Sequence, residues 1–517
     1  SEAAAVRLFV DRARAMNPGF EPTAQQLEEI AEICDRLDGL PLAIELAASR
    51  IATMPLGMLR DRLVRRLGTL TGGARDLPER QRTLRDAIAW SYDLLDEDER
   101  TVFRRLGAFV GGWGAESLRP VVDPDGSLGA EPLDTMDSLV EKNLVRTALG
   151  AEPRWGMLET IREFAVEQLE SDEEADTVRA RHADHFLGLA EEAAPHLTGL
   201  DQAVWLNRLE SDQDNFRAVF RWSLATGRVE IGMRIGSALW RFWQLRGRLI
   251  EGRDWMEQLL DHPGATERNA VRGHALATLG SLAYWQGDVA AVRRFYTESR
   301  DVFEDLGDQP ALAHAYYLLA YVPAMEDDAE NANRAFGEAL RRYEALGDEE
   351  GVAVVRMSIG YLGGRLRENY GEALPQVEKA YEYFDRVGRK FDALDALGMV
   401  SEAKLRLGRI EEAREDMLRG LNERVALGNS TGVVQALWGI CQLALAEGKH
   451  DRALRLDGAA AALASSLGGT IPRHMTGFDD PRVVLEGTVD REEIEARWQE
   501  GFAMSFEETI EYARARD

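Results

Sequence analysis

Cysteine is nearly absent: the 517 residues include two, Cys34 and Cys441, far apart and outside any C-x-x-C spacing. That excludes a disulfide framework and a thiolate metal site and suits a reducing cytoplasm. Lysine is also scarce, occurring only at Lys142, Lys379, Lys390, Lys404 and Lys449. A phosphate-binding loop needs a Gly-rich turn leading into Lys followed by Ser or Thr. None of the five has that setting; Gly448-Lys449 is followed by His450 and lacks the earlier glycine. No strand-like apolar run ending in acidic residues offers a Mg²⁺ site, and no nucleophile, base and orienting group recur at a catalytic spacing. The chain is therefore expected to be no enzyme and to hold no cofactor by itself. No apolar run approaches about 20 residues and no signal peptide opens the chain, so neither membrane insertion nor export is expected. The first residue is Ser, which suggests a processed, excised or incomplete chain. Basic residues are outnumbered too: 62 Lys and Arg face 90 Asp and Glu, a formal charge of -28. Such a balance repels phosphate backbones and disfavours nucleic-acid binding by the chain as a whole.

What is present is a repeat. The endings Leu306-Gly307-Asp308, Leu346-Gly347-Asp348, Val387-Gly388-Arg389, Leu427-Gly428-Asn429 and Leu467-Gly468-Gly469 place glycines 40, 41, 40 and 40 residues apart. Fourteen positions before each apolar residue stands a small one: Val292, Ala332, Ala373, Ala413 and Ala453. A fixed period of roughly 20 to 50 residues signals stacked supersecondary units that bury their apolar faces against one another. Within one unit, the segment Arg409 to Leu421 carries apolar or small residues at three- and four-residue steps on an otherwise charged helix. Glycine after Leu or Val is the left-handed residue that closes a helix. Gly247 and Gly252 precede Gly287 and Val292 by 40 residues, so the period starts earlier, giving about six units between roughly 201 and 468.

Before the repeat, helices are expected over Glu2 to Ala15 (Val6, Phe9 and Val10 on one side) and over Ala24 to Leu37, capped by Thr23 with a stripe through Leu27, Ile30 and Ile33. Then Asp38-Gly39-Leu40-Pro41-Leu42-Ala43 forms a turn into a helix, and proline is well placed at such a first turn. A Gly- and Pro-containing linker covers 70–81. Helices follow over 83–94, from 96 to about Phe109, over 115–121 and over 133–142, then two short strands around 144–148 and 154–158. A helical trio followed by a strand pair suggests a winged helix. A DNA reader wants Arg, Lys and Asn on the helix entering the groove; Asp134, Asp137 and Glu141 make that helix acidic instead, so direct DNA contact is disfavoured. His182 and His185, three apart, lack a third ligand at metal-binding spacing and are expected to pack or face solvent. The aromatic-rich stretches 212–222 and 240–255 are expected to be core.

The segment Cys34 to Ala47, with Gly39-Leu40-Pro41-Leu42 at its centre, resembles the GLPL motif of NB-ARC nucleotide-binding domains in STAND signalling ATPases, specifically the large bacterial regulators related to LuxR-type and SARP-type activators. The resemblance implies nucleotide contact at Gly39, Leu40 and Pro41, with the proline beside adenine. It also implies a phosphate-binding loop upstream, so ATP or ADP is implied for a longer parent and the missing ATPase core is one implied partner. Ser91-Tyr-Asp-Leu-Leu and Ser138 to Val145 resemble the winged helix that packs on the ATPase core in such proteins. Met157-Leu158-Glu159 stands where many relatives have Met-His-Asp, and Leu158 cannot hydrogen-bond phosphate; Arg162 is the nearby alternative. The repeats resemble TPR-like sensor repeats.

The expected fold is mainly α: the helical end of an NB-ARC-like domain (1–70), a winged-helix domain with a small β-wing (82–170), a TPR-like α-solenoid (178–468) and capping helices (469–517). The first helices of successive units should line a concave face, offering His274, Tyr317, Tyr321, Arg365, Glu402, Trp438 and Gln442 to a protein or small-molecule inducer, or else packing those side chains between helices. The expected role is the regulatory and sensor region of a STAND-type regulator of transcription, cytoplasmic and without membrane contact. The alternative is a free-standing TPR-type protein-interaction adaptor.

Overall fold

The computed structural model describes residues 2–17, 19–37, 39–52, 54–60, 79–129, 131–148, 153–198, 201–466 and 478–515. The expected linker over 70–81 lies outside them up to residue 78, as does the last expected ending, Leu467-Gly468-Gly469. The chain divides into two compact bodies, residues 1–188 with 211–222 and residues 189–210 with 223–517.

In the first body α1 (Glu2–Met16), α2 (Ala24–Arg36), α3 (Pro41–Ala48) and α4 (Glu79–Asp93) share one core built on Phe9, Ile30, Ile33, Ile44, Ala47 and Trp90. Thr23 caps α2 as expected: its hydroxyl accepts from the Gln26 N–H at 3.3 Å, and the Gln26 side chain accepts from the Thr23 N–H at 2.8 Å. The buried stripe of α2 runs one turn later than expected. Leu27 is 39% exposed, whereas Ile30, Ile33, Cys34 and Leu37 are buried.

Next come α5 (Glu97–Leu106), β1 (Trp113–Gly114), α6 (Ala115–Val122), α7 (Pro132–Glu141), β2 (Arg146–Ala148), β3 (Arg154–Gly156) and α8 (Glu159–Ser171). The strands form an antiparallel sheet in the order β1-β3-β2, with Trp113 opposite Trp155. The sequence predicts two strands; the third, β1, has two residues, too few to show alternation. Asp96 and Glu99 make a reciprocal capping box on α5. The same Glu99 accepts from Ser138 at 2.6 Å and pairs with Lys142, tying α5 to α7 and the turn after it.

Helices α9 (Ala175–Ala193), α10 (Gln202–Ser211) and α11 (Gln213–Thr226) follow. In the second body α12 (Val229–Leu245) and α13 (Leu249–Asp261) lead into pairs of antiparallel helices: α14 (Ala270–Trp285) with α15 (Val289–Leu306), α16 (Gln309–Leu319) and α17 (Tyr321–Met325) with α18 (Ala329–Leu346), α19 (Glu349–Arg367) with α20 (Tyr370–Arg386), α21 (Lys390–Arg406) with α22 (Ile410–Ala426), and α23 (Ser430–Ala446) with α24 (His450–Ser466). Each helix packs on the next in the chain. The described endings are left-handed, with φ of 68°, 68°, 77° and 64° at Gly307, Gly347, Gly388 and Gly428. The residue after each explains the third letter of the repeat. Asp308, Asp348 and Asn429 cap the following helix by accepting from the N–H three residues on. One glycine stops a helix and the next side chain starts another. Val292, Ala332, Ala373, Ala413 and Ala453 are all 5% exposed or less, as the second ladder requires.

The first helix of this unit is interrupted at Ala320, between α16 and α17. Pro323 has no N–H to donate to Leu319, and its ring crowds the preceding turn. After the repeats, α25 (Pro481–Val484), α26 (Arg491–Phe502) and α27 (Phe506–Arg514) follow. Helix α27 opens with a capping box of Ser505 and Glu508. α26 meets α24 backbone to backbone: a Cβ on Gly458 would lie 2.0 Å from the Trp498 carbonyl oxygen, and one on Gly501 would lie 1.9 Å from that of Arg455.

Candidate functional site

In the first body, Gly39 (φ 63°) ends α2, and Pro41 is the exposed first residue of α3. Glu45 on α3 holds Arg12 at 3.1 Å and Arg146 at 3.5 Å. Leu158 precedes α8, and Arg162 is held by the Glu159 carboxylate at 2.6 and 3.0 Å. The outward face of α7 carries Leu133, Asp134, Asp137 and Glu141, which offers nothing to a phosphate backbone. The two histidines are structural. His182 is 4% exposed and meets Asn215 Oδ1 at 3.2 Å; His185 meets Ser117 Oγ at 2.9 Å. Burial lowers the His182 pKa to about 4, against the pull of its Asn215 hydrogen bond, so the ring is neutral near pH 7. Among the described residues no cluster of His, Cys, Asp and Glu could hold a metal, and no helix is long and apolar enough to cross a membrane.

In the second body the first helices of successive pairs turn one face to a common interior space. A cavity of about 230 Å³ opens there. Its walls come from Trp285 at the end of α14, Met357 and Tyr361 on α19, Asp395, Gly398, Met399 and Glu402 on α21, Asp416, Met417 and Arg424 on α22, Gly439 on α23, and Phe478 from the segment before α25. The periodicity places these residues on one side because the period is a whole number of helix pairs, so the same face of each first helix recurs inward.

Two of the acidic groups of this space, Asp395 and Asp416, form ion pairs. Arg424, 3% exposed, donates to the Leu394 carbonyl at 2.6 Å and reaches Asp395 at 3.4 Å. Burial lowers the Arg424 pKa and raises that of Asp395, with each partner opposing the other's shift. Asp416 takes Lys404 at 2.6 Å and Arg419 at 2.9 Å. On α16, α17 and α19 lies a hydroxyl cluster: Tyr317 Oη is 2.7 Å from Tyr321 Oη, and Ser358 Oγ is 3.2 and 2.8 Å from the two. Desolvation holds the Tyr321 phenol far above its ordinary range, so it stays protonated.

The seven candidates from sequence are thus dispersed. Glu402 lines the cavity, while Tyr317 and Tyr321 form the hydroxyl cluster. His274 is exposed, its ring 5.0 Å from that of Phe303. Trp438 is 5% exposed within the core shared by α22, α23 and α24. Gln442 anchors the segment before α25, donating to the Asp479 carbonyl at 2.9 Å and accepting from its N–H at 3.3 Å. Arg365 lies on α19, with its side chain outside the described residues. Trp285, Met357, Met399 and Phe478 line the cavity beyond the residues expected from sequence. The first three occupy first helices in inward register, a signal that was available; Phe478 belongs to no repeat and carries none.

No protein-family model matches the chain. The Mycobacterium tuberculosis protein named "Putative HTH-type transcriptional regulator Rv0890c" is 32% identical over 478 residues, which is 90% of this chain and 53% of that protein. A Mycobacterium bovis protein of the same description, Mb0914c, gives the same figures. The M. tuberculosis "Uncharacterized protein Rv0894" is 35% identical over 184 residues, covering 35% of this chain and 47% of that one. The chain therefore spans about half the length of the curated relatives it matches. Among solved structures, a Pyrococcus horikoshii STAND protein with a tetratricopeptide-repeat sensor is similar at a TM-score of 0.46 and 14% identity, over 99% of this chain and 74% of that one. A Rap protein complexed with competence and sporulation factor is similar at a TM-score of 0.47 and 13% identity, over 83% and 99%. The chain is a TPR-like helical-repeat protein, similar over 90% of its length to mycobacterial proteins named as transcriptional regulators.

Proposed function

We propose that this chain is the regulatory and sensor region of a STAND-type signal-transduction ATPase that controls transcription, with the repeat interior as the inducer site. The observation that carries this is the cavity itself: a space of about 230 Å³, walled by side chains from α14, α19, α21, α22 and α23, in a chain similar to named regulators over 90% of its length. A site walled by five helices registers its occupant as a change in helix packing, which is how a ligand biases a two-state equilibrium. The segment 82–170 is the winged helix of this scheme, acting by packing and not by reading DNA, which the acidic outer face of α7 supports. Gly39, Leu40 and Pro41 are the residues that would meet a nucleotide held by the rest of the parent. The chain itself hydrolyses no ATP, since no lysine in it has a phosphate-loop setting.

The test is a transcriptional reporter driven by the longer parent protein. Removing residues 178–517 is expected to make the reporter independent of the inducing condition, while the parent with its repeats intact responds. A reporter that still follows the inducing condition after that removal would refute the sensor role. Micromolar binding of ADP or ATP by the isolated chain would separately refute the assignment of nucleotide capture to the parent.

A further inference from the structure

Two glycines explain why the walls around the cavity fail to close. Gly398 on α21 and Gly439 on α23 both line it, and neither has a positive φ. A glycine inside a helix weakens it relative to alanine, so it usually marks a place where a side chain has no room. That holds at two other repeat positions, though not at Gly337: a Cβ on Gly280 would lie 2.4 Å from the Tyr296 ring, and one on Gly360 would lie 2.4 Å from Val377. At Gly398 the nearest atom is the end of Arg424 at 3.6 Å, and at Gly439 it is Met417 Cε at 3.8 Å. Packing does not demand glycine at either position. Their effect is to keep side-chain volume out of the cavity.

The rest of the wall sets what the space accepts. Rings from Trp285, Tyr361 and Phe478 and thioethers from Met357, Met399 and Met417 present apolar, polarizable surface, and methionine adapts its shape to an occupant. The charges at the edge are already matched: Asp395 by Arg424 and Asp416 by Lys404 and Arg419, while Glu402, 7% exposed, is also engaged within the chain. An ionic ligand would lose its hydration against a wall whose named charges already have partners. Size narrows the class further. An apolar cavity of roughly 150 Å³ takes one benzene, so about 230 Å³ takes a molecule of one or two rings.

We propose that this cavity is a receptor site for a small, uncharged, predominantly apolar molecule of one or two rings. The proposal rests on the sensor role above and specifies its ligand as a small molecule.

The purified full chain is titrated with indole, benzoate and benzylammonium, following ligand signals by NMR and heat by calorimetry. Indole is expected to saturate one site, at least tenfold tighter than either ion. Gly439→Leu, which fills the space, is expected to weaken indole at least tenfold while melting no lower than the parent chain. Met399→Ala, which widens it, is expected to shift the preference from indole toward the larger 4-phenylphenol and guards against a Gly439→Leu chain that fails to fold. Ions that bind as tightly as indole, indole that never saturates, or indole affinity unchanged in both variants would each overturn the proposal. If indole fails while the reporter loses its response without residues 178–517, the ligand class falls and the sensor role stands. If indole binds as expected while the reporter ignores that deletion, the sensor role falls and the binding site stands.

Discussion

In the first body one side chain holds a loop that nothing else repeats. Asn215 accepts from the Val110 N–H at 2.8 Å, donates to the Gly112 carbonyl at 2.8 Å and meets His182 at 3.2 Å, all while fully buried. In the second body the turns are closed many times over by one device, a left-handed residue followed by a helix cap. The first arrangement concentrates cost in single positions, and the second spreads it, because each repeat contacts only its neighbours. The largest expected effect therefore lies outside the repeats. Asn215→Leu strands a buried backbone N–H and carbonyl and is expected to destabilise the first body by about 3 kcal/mol. A urea denaturation midpoint within error of the parent would break the contrast at its strongest point.

The same contrast predicts where pH acts. Above pH 6.5 the His182 ring is neutral whether the chain is folded or unfolded, and it contributes nothing. As pH falls from 6.5 to about 4, the unfolded chain takes up a proton that the folded one refuses. Stability then drops, by up to about 3 kcal/mol, and the loss levels off below the folded pKa. His182→Gln is expected to flatten the slope of stability against pH over that window. Equal slopes in both proteins would show that the ring does not carry the effect.

A close approach of two helices is the next strongest feature, and it sits where the repeats end. Gly501→Ala places a methyl against the Arg455 carbonyl, so α26 must move off α24. The expected loss is about 2 kcal/mol, read as earlier hydrogen exchange in α26 and α27 with α14 to α19 unchanged. Exchange that quickens uniformly along the repeats would mean that the solenoid is a single cooperative unit and not a sum of neighbours.

These differences also decide what was legible in the sequence. The helix endings, the small-residue ladder and the rung boundaries could be read because one local rule recurs at 40 or 41 residues, and four described glycines obey it. Helix positions in the first body were readable from signals such as the Thr23 cap and the acidic run that starts at Asp96. Its tertiary links were not, since Asn215 reaches back more than a hundred residues to Val110 and Gly112 with no pattern announcing it. The cavity was half legible. Periodicity locates the inward face, yet it does not say which inward side chains leave space. That depends on two mid-helix glycines and on Phe478, which lies outside the period.

The smallest effect tests the ladder where the sequence breaks its own rule. A second series of turns, inside the helix pairs, falls at Gly247, Gly287, Asp327, Glu368, Gly408 and Gly448, and all six have positive φ, including 56° at Asp327 and 51° at Glu368. A residue with a Cβ is strained there, least so Asp, whose short side chain tolerates the left-handed region. Both side chains are exposed, so replacing them removes little packing. Glu368→Gly is expected to stabilise the repeats by about 0.5 to 1 kcal/mol, and Asp327→Gly by about half as much, the gain in each case reduced by the greater freedom of glycine in the unfolded chain. The order matters more than the size. If Asp327→Gly stabilised more than Glu368→Gly in matched urea titrations, the turn at 368 would be held by something other than the left-handed geometry its neighbours share.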